Sequence, residues 1–355
     1  VSRRRLYGTA PFPYFGGKSQ VAPLVWARLG DVKNYIEPFA GSLAVLLKRP
    51  GWDWRRGVWA DGQPRIETVN DVDGLLTNTW RAIQLQPAEV ARHASWIVSE
   101  CDLTARHIWL VNRREELTAR LMGDPEWCDP KAAGWWLWGI ACWIGGGWCS
   151  GQGGWSTDGE RLIRLRRAGP GVTRRIVRLS GAQGIHKQTV HQMDDTEFSG
   201  QCDISLANIT AWMMALSHRL RRVSICCGDW SRVCGHSPTI HRATPVGIFF
   251  DPPYSDAADR TPELYARDSL AVAHAVREWC IAHGDDPRYR IVLAGYEGEH
   301  DMPDSWECVH GKAGSGRGYN ATSTDPQHIH KNAGRERLWF SPHCLKPMAV
   351  EQRLF

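Results

Sequence analysis

The stretch Val246-Gly-Ile-Phe-Phe-Asp-Pro-Pro-Tyr254 joins a short uncharged run to a turn that opens with a carboxylate. Val246–Phe250 is too short and too rich in β-branched and aromatic residues for a helix, so it reads as a buried strand. Asp251 then stands at the strand's carboxyl end, where open α/β sheets bind their ligands. Pro252 and Pro253 stiffen the turn, and Pro253 brings no N–H to crowd the Pro252 carbonyl. Tyr254 adds a flat apolar face. Together these groups suit a planar aromatic amine, whose two N–H groups meet a carboxylate and a carbonyl while its ring stacks on the tyrosine.

Working outward, strand-like runs recur at Asn34–Phe39, Ile66–Asp71, Val223–Cys227, Arg290–Ala294 and Arg335–Phe340. Helical patterns follow or separate several of them: Leu43–Lys48 with Ser42 as its cap, the segment after Asp71 to about Gln84, and Leu270–Ala282. Strand, turn and helix alternating at both ends of the chain predict one open, mostly parallel α/β sheet. The middle, from residue 76 to 220, has a different character. It is mostly helical from Pro87 to Ile144, clearest over Leu103–Leu121, then glycine-dense over Gly145–Gly154. Short strands are expected around Arg174–Leu179, and Ile204–Leu220 has the periodicity of an amphipathic helix. The reading is a discontinuous domain, 1–75 and 221–355, interrupted by an inserted domain at 76–220. The glycine- and serine-rich stretch Gly311–Gly334 reads as a mobile loop.

Two further motifs precede the insertion. In Glu37-Pro38-Phe39-Ala40-Gly41-Ser42, a glycine at a strand end permits close backbone approach just before a helix amino terminus, a cue to a nucleotide-like ligand. Asp71, at the end of the next strand, falls where an acidic side chain takes two ribose hydroxyls; its alternative role is to cap the helix after Val72. In Pro13-Tyr14-Phe15-Gly16-Gly17-Lys18-Ser19, a phosphate loop would need glycine where Phe12 stands and a strand before it, so a nucleotide triphosphatase is rejected. A Gly-Gly-Lys turn instead sets one cation against a carboxylate.

Composition narrows the class. The 355 residues are 43% hydrophobic and 23% charged, with a net charge of +5. No apolar run approaches the ~20 residues of a membrane span, and the basic start lacks the apolar stretch of a secretory signal. Eleven scattered cysteines fit a reduced cytosolic chain better than a disulfide framework. The charge is uneven. Arg161, Arg164, Arg166, Arg167, Arg174, Arg175, Arg178 and Lys187 fall in a stretch with no acid, which points to a polyanion as partner. The chain also holds 19 tryptophans, and the run Trp135, Trp136, Trp138, Trp143 reads as helix core rather than a DNA-contacting face. Cys227, Cys234, His236 and His241 match no common zinc spacing, so no metal is expected, while Cys226 and Cys280 read as packing on the sheet.

The order GGK, EPFAG, inserted region, DPPY resembles the Dam-type (alpha-group) DNA adenine-N6 methyltransferases, especially phage-encoded members, from about Phe12 to Phe340. Gly153-Gly154-Trp155-Ser156 is similar to part of that family's recognition hairpin. The resemblance implies a Rossmann-like S-adenosylmethionine-dependent methyltransferase sheet with an inserted, mainly helical target-recognition domain, acting on double-stranded DNA in the cytoplasm of a bacterial or phage-infected cell. It implies that Tyr14, Gly17 and Lys18 line the S-adenosylmethionine site, with Lys18 near the methionine carboxylate. Glu37, Pro38, Phe39, Gly41 and Ser42 flank the cofactor, Asp71 takes its ribose, and Asp229 and Trp230 border its adenine. Asp251, Pro252, Pro253 and Tyr254 hold the flipped base. Gly153, Trp155, Arg161, Arg164, Arg166, Arg167, Arg174 and Arg175 would face DNA, with base reading in the loop Gly145–Asp158. Leu43 departs from the family, which has a second glycine there. The hairpin also lacks the run that reads GATC in Dam enzymes, so the target sequence stays open. Two alternatives stand beside this reading: cytosine-N4 methylation, whose enzymes more often have Ser where Asp251 stands, and a non-catalytic DNA-binding homologue.

Overall fold

The computed structural model describes residues 8–12, 14, 18–143, 148–149, 155–157, 162–164, 201–253, 265–310 and 335–346. The chain opens with α1 (Ala22–Leu29), β1 (Asn34–Glu37) and α2 (Ala44–Leu47), forms a small hairpin of β2 (Trp52–Asp53) and β3 (Val58–Trp59), and returns as β4 (Ile66–Asp71). Helices α3 (Gly74–Leu85), α4 (Pro87–Ala94), α5 (Glu100–Gly123) and α6 (Pro130–Cys142) follow, then β5 (Trp155–Thr157), β6 (Leu162–Arg164) and α7 (Gln201–Leu220). Next come β7 (Val223–Cys227), β8 (Val246–Phe250), α8 (Tyr265–Gly284), β9 (Tyr289–Tyr296), β10 (Glu307–His310) and β11 (Glu336–Phe340).

Seven strands make one sheet in the order β10–β11–β9–β8–β1–β4–β7. β7, β4, β1, β8 and β9 run parallel, while β11 lies antiparallel to β9 and β10 antiparallel to β11. Both central strands, β1 and β8, are buried along their whole length, as strands covered on both faces must be. Successive side chains of β8 serve opposite layers. Phe249 joins the apolar cluster of α1, α2 and α3, while Ile248 and Phe250 pack with Trp230, Val276 and Cys280 on the other face. Gly247 leaves room for Val32: a Cβ there would lie 2.8 Å from its Cγ2.

Helices α3–α6 do not build a core apart from the sheet. Leu110, Leu117, Trp136 and Trp138 belong to the same apolar cluster as Val69, Val292 and Leu338. Asp73, Ser99 and Asp129 cap α3, α5 and α6 by accepting backbone N–H groups from Leu75, Asp102 and Ala132. Arg81 stitches α3 to the end of α5 by donating to the carbonyls of Leu121, Asp124 and Trp127. Trp136 and Trp138 are buried as expected, while Trp135 and Trp143 lie partly exposed against the cluster. Among the described residues no helix is long and apolar enough to cross a membrane.

Sequence and structure differ at several points. Ser42 does not cap α2: the capping position is Leu43, in the left-handed region at φ 54, with no side-chain cap of its own. A leucine there is strained by about 1 kcal/mol or more, and its fully buried side chain supplies the compensation. The expected loop Gly145–Asp158 contains strand β5, paired antiparallel with β6. Strand β10 and the β2–β3 hairpin carry no strong apolar alternation and were not expected. The suggested strands at Arg174–Leu179 and the loop Gly311–Gly334 lie outside the described residues.

The amino-terminal halves of the strands hold a buried ion cluster. Glu67 of β4 accepts two bonds from Arg219 of α7, at 2.6 and 2.7 Å, and one from Arg49, at 3.0 Å. Tryptophans cover the guanidinium planes: Trp26 and Trp59 lie 5.0 and 5.1 Å from Arg49, and Trp52 and Trp59 lie 5.1 and 5.3 Å from Arg219. Part of the tryptophan excess is thus spent on shielding buried arginines. Glu67→Gln leaves two buried cations without their counter-charge, and urea denaturation should show a loss of roughly 3–5 kcal/mol.

Candidate active site

The chain leaves β1 toward β4 and β7 on one side of the sheet, then returns to place β8 and β9 on the other. The strand order therefore reverses between β1 and β8, and the crevice outside their carboxyl ends is the topological switch point. Glu37-Pro38-Phe39-Ala40-Gly41 follows β1 there, and Asp251 follows β8.

Backbone and side-chain bonds lash three neighbouring strand ends together. The Ala40 N–H donates to the Asn70 carbonyl at 2.8 Å, and the Gly228 N–H to the Asp71 carbonyl at 3.0 Å. The Asn70 amide donates to the carbonyls of Pro38 and Gly228, at 3.1 and 2.9 Å, joining the ends of β1 and β7 across β4. The Gly41 N–H donates to Asp71 Oδ2 at 3.0 Å, and Trp80 Nε1 donates to the Gly41 carbonyl at 2.9 Å. Gly41 sits at φ 48, and a Cβ there would come within 3.0 Å of the Tyr14 ring. Glycine is required on both counts.

Asp71 also accepts the Asp73 N–H at 3.0 Å, while Asp73 itself caps α3. The helix-cap alternative for Asp71 therefore falls to its neighbour. Burial raises the Asp71 carboxyl to about 6, against the pull of the Asp73 and Gly41 N–H groups. Phe39, half-buried, stacks on Trp230 with ring centres 6.3 Å apart, and Trp230 meets Phe250 edge-on. Asp229 is exposed and caps the short turn Trp230–Val233 through the Ser231 N–H, 2.9 Å away. The strand ends outside the switch-point cleft thus carry an acceptor at Asp71, an aromatic pair at Phe39 and Trp230, and close backbone at Gly41. That donor and acceptor set fits a nucleoside-bearing cofactor.

Glu37 turns away from this cleft toward the helix behind it. Its Oε1 accepts from Tyr35 Oη at 2.6 Å and from the Leu46 N–H at 2.8 Å, so it supplies the cap for α2 that Ser42 does not. It is 2% exposed, and burial raises its carboxyl to about 8. On the other side of the switch point, Lys18 reaches Asp251 at 3.1 Å and Glu336 at 3.6 Å. Burial works against the Lys18 ammonium, but the two carboxylates outweigh it and its pKa lies above the usual lysine value. Pro252 is buried and Pro253 exposed.

Of the expected site residues, Tyr14, Lys18, Glu37, Pro38, Phe39, Gly41, Ser42, Asp71, Asp229, Trp230, Asp251, Pro252 and Pro253 gather around the carboxyl ends of the strands. Trp155 and Arg164 are paired across the β5–β6 hairpin. Gly17, Tyr254, Gly153, Arg161, Arg166, Arg167, Arg174 and Arg175 lie outside the described residues. Glu336 and Asn70 were not foreseen: each acts through strand neighbours distant in sequence. Among the described residues no group of three His, Cys, Asp or Glu side chains is placed to hold a metal ion. Burial pushes the Cys227 and Cys234 thiols up. The sequence matches no model of a known protein family and no curated protein.

Glu37 gives the site a pH signature. Its folded carboxyl titrates near 8, against about 4.3 in an unfolded chain, so the folded state holds the extra proton between those values. Its contribution to stability is then complete below pH ~4 and is lost as pH rises toward 8. In Glu37→Gln this term is absent. Denaturation at several pH values should show wild type losing ground to the variant by roughly 1 kcal/mol per pH unit between 5 and 8.

Proposed function

We propose that the chain is a DNA adenine-N6 methyltransferase that uses S-adenosylmethionine. One observation carries the reading: the EPFAG turn and Asp251-Pro252-Pro253, two motifs far apart in sequence, end adjacent parallel strands at the point where the strand order reverses. A cofactor over the β1–β4–β7 ends and a base over the β8 end would meet there. On this reading Asp71 accepts the ribose hydroxyls, Phe39 and Trp230 flank the adenine ring, and Gly41 lets the ligand approach the backbone. Residues 76–220, whose helices share the sheet's apolar core, are on this reading the inserted DNA-recognition part, and the arginines from Arg161 onward neutralise phosphates.

Adenine's exocyclic nitrogen is a poor nucleophile because its lone pair is delocalised into the ring. Asp251 and the Pro252 carbonyl accept its two N–H bonds, which favours a pyramidal nitrogen with a localised lone pair. S-adenosylmethionine, which Asp71, Phe39, Trp230 and the Gly41 backbone would hold, would supply an electrophilic methyl group on a sulfonium whose sulfur would keep the S–C electron pair as the amine gained the methyl. The proton the nitrogen sheds passes to the Asp251 carboxylate and on to water. No covalent enzyme intermediate is required, so positioning supplies most of the rate. The target must leave the duplex stack, and Tyr254 offers a face to replace part of the lost stacking.

The test is transfer of a tritiated methyl group from S-adenosylmethionine to unmethylated duplex DNA, followed by digestion to nucleosides. Label in N6-methyl-2′-deoxyadenosine supports the reading, label in N4-methyl-2′-deoxycytidine selects the alternative base, and no label leaves a non-catalytic DNA-binding chain. Asp251→Ala should reduce turnover below a few per cent of wild type with cofactor affinity largely retained, because the carboxylate serves the amine. Asp71→Ala should weaken cofactor binding by roughly 1.5–3 kcal/mol in calorimetry, the loss of charge-assisted bonds to two hydroxyls.

A further inference from the structure

Lys18 is buried between two carboxylates, and the proposed chemistry uses only one of them. Asp251 Oδ1 lies 3.1 Å from Lys18 Nζ, and Glu336 Oε1 lies 3.6 Å from the same atom. Glu336 reaches this edge because of the sheet's one reversal. β11 runs antiparallel to β9 with Glu336 opposite Tyr296, so the first residue of β11 stands at the carboxyl ends of its parallel neighbours. A parallel β11 would carry its first residue to the opposite edge.

The amine chemistry sets conflicting demands on Asp251. To accept an N–H bond from the target base it needs an oxygen turned to the base and full negative charge. A buried ammonium at 3.1 Å occupies one of its acceptor positions and withdraws charge. Drawing a buried ammonium off its carboxylate costs several kcal/mol unless another anion stands within reach of it. Glu336 provides that second partner within reach of the same Nζ.

We infer that Glu336 is a positioning residue for methyl transfer: it holds Lys18 when the Asp251 carboxylate turns to the target amine, and so keeps Asp251 available as an acceptor. The inference rests on the methyltransferase reading above. It assigns Lys18 to the base side of the switch point, where the resemblance assigns it to the cofactor's carboxylate. The two assignments differ in what the loss of Glu336 does: an effect on turnover in the first case, an effect on cofactor affinity in the second.

The experiment compares wild type, Glu336→Gln, Glu336→Asp, Lys18→Met and the double variant Lys18→Met/Glu336→Gln. The measurements are kcat and KM on unmethylated mixed-sequence duplex DNA, the S-adenosylmethionine dissociation constant by calorimetry, and the melting temperature. Glu336→Gln should lower kcat by about tenfold or more while cofactor affinity and the KM for DNA stay within about twofold. Glu336→Asp, which keeps the charge, should recover most of the loss. Because Glu336 acts through Lys18, adding Glu336→Gln to Lys18→Met should cost nothing further. The role is overturned if Glu336→Gln keeps its kcat, if its effect falls on cofactor affinity, or if the double variant is worse than Lys18→Met alone. A loss of kcat that tracks a lowered melting temperature and is not recovered by Glu336→Asp also overturns it. A wild-type chain that transfers no methyl group overturns the parent reading and this role together, whereas an active wild type with an equally active Glu336→Gln overturns this role alone.

Discussion

The structure depends on two parallel strands, β1 and β8, that lie side by side while the chain continues away from them in opposite directions. The connections out of their carboxyl ends diverge, which is where open α/β sheets bind their ligands. Burial on both faces fixes the pair rigidly: β1 and β8 have no exposed residue, and Gly247 admits Val32 where any side chain would force them apart from the layer above. The turns that follow inherit this rigidity. Pro38, Pro252 and Pro253 restrict them further, so groups at the two strand ends are held at a fixed separation with little conformational freedom left to lose on binding.

Rigidity at the strand ends has an electrostatic cost. Burial raises the carboxyls of Glu37, Asp71 and Glu336 above their ordinary values, each against opposing hydrogen bonds or a cation. These residues are poor choices for stability alone. An apolar side chain at Asp71 would forgo the bond to Gly41 but avoid desolvating a carboxylate. The opposite end of the sheet offers a contrast. Glu67 there meets two arginines with good geometry beneath tryptophans, one carboxylate shared by two guanidiniums. At the carboxyl ends the sign is opposite: two carboxylates, Asp251 and Glu336, share the Lys18 ammonium. Buried carboxyls raised above their ordinary values beside strand ends mark a candidate site.

Much of this was legible in the sequence where the signal is local. Val246–Phe250 is an uncharged, mostly apolar run bounded by turn residues, and Ile66–Asp71 carries Ile66, Thr68 and Val69 among polar neighbours. They are the strands β8 and β4 residue for residue. The helix pattern ending at Leu220 and the turn at Gly41 were equally plain, since periodicity and glycine both report on the chain's own neighbours. What escaped depends on partners distant in sequence. β10 pairs only with β11, and its mixed burial leaves no alternation to read. Glu336 belongs to the site only because β11 is reversed. The cap of α2 was assigned to Ser42 by proximity. It comes instead from Glu37, whose side chain reaches Leu46 once Leu43 has entered the left-handed region, a conformation that a leucine does not advertise.

The same charge pattern bears on what the crevice accepts. Asp71 and Asp251 end or follow β4 and β8, Glu336 opens β11, and Lys18 is paired with Asp251 and Glu336. A polyanion alone is repelled by such a site, and a neutral amine gains little from it. A ligand carrying positive charge is attracted, and the proposed cofactor has a sulfonium beside its amino group. On the proposed reading, a bound sulfonium would offset part of this carboxylate charge and favour the ionised form of Asp71, which burial opposes. The arginines around Arg161–Lys187 complement this arrangement in sequence: the cations that would draw in DNA are segregated from the acids that would hold the cofactor and the base.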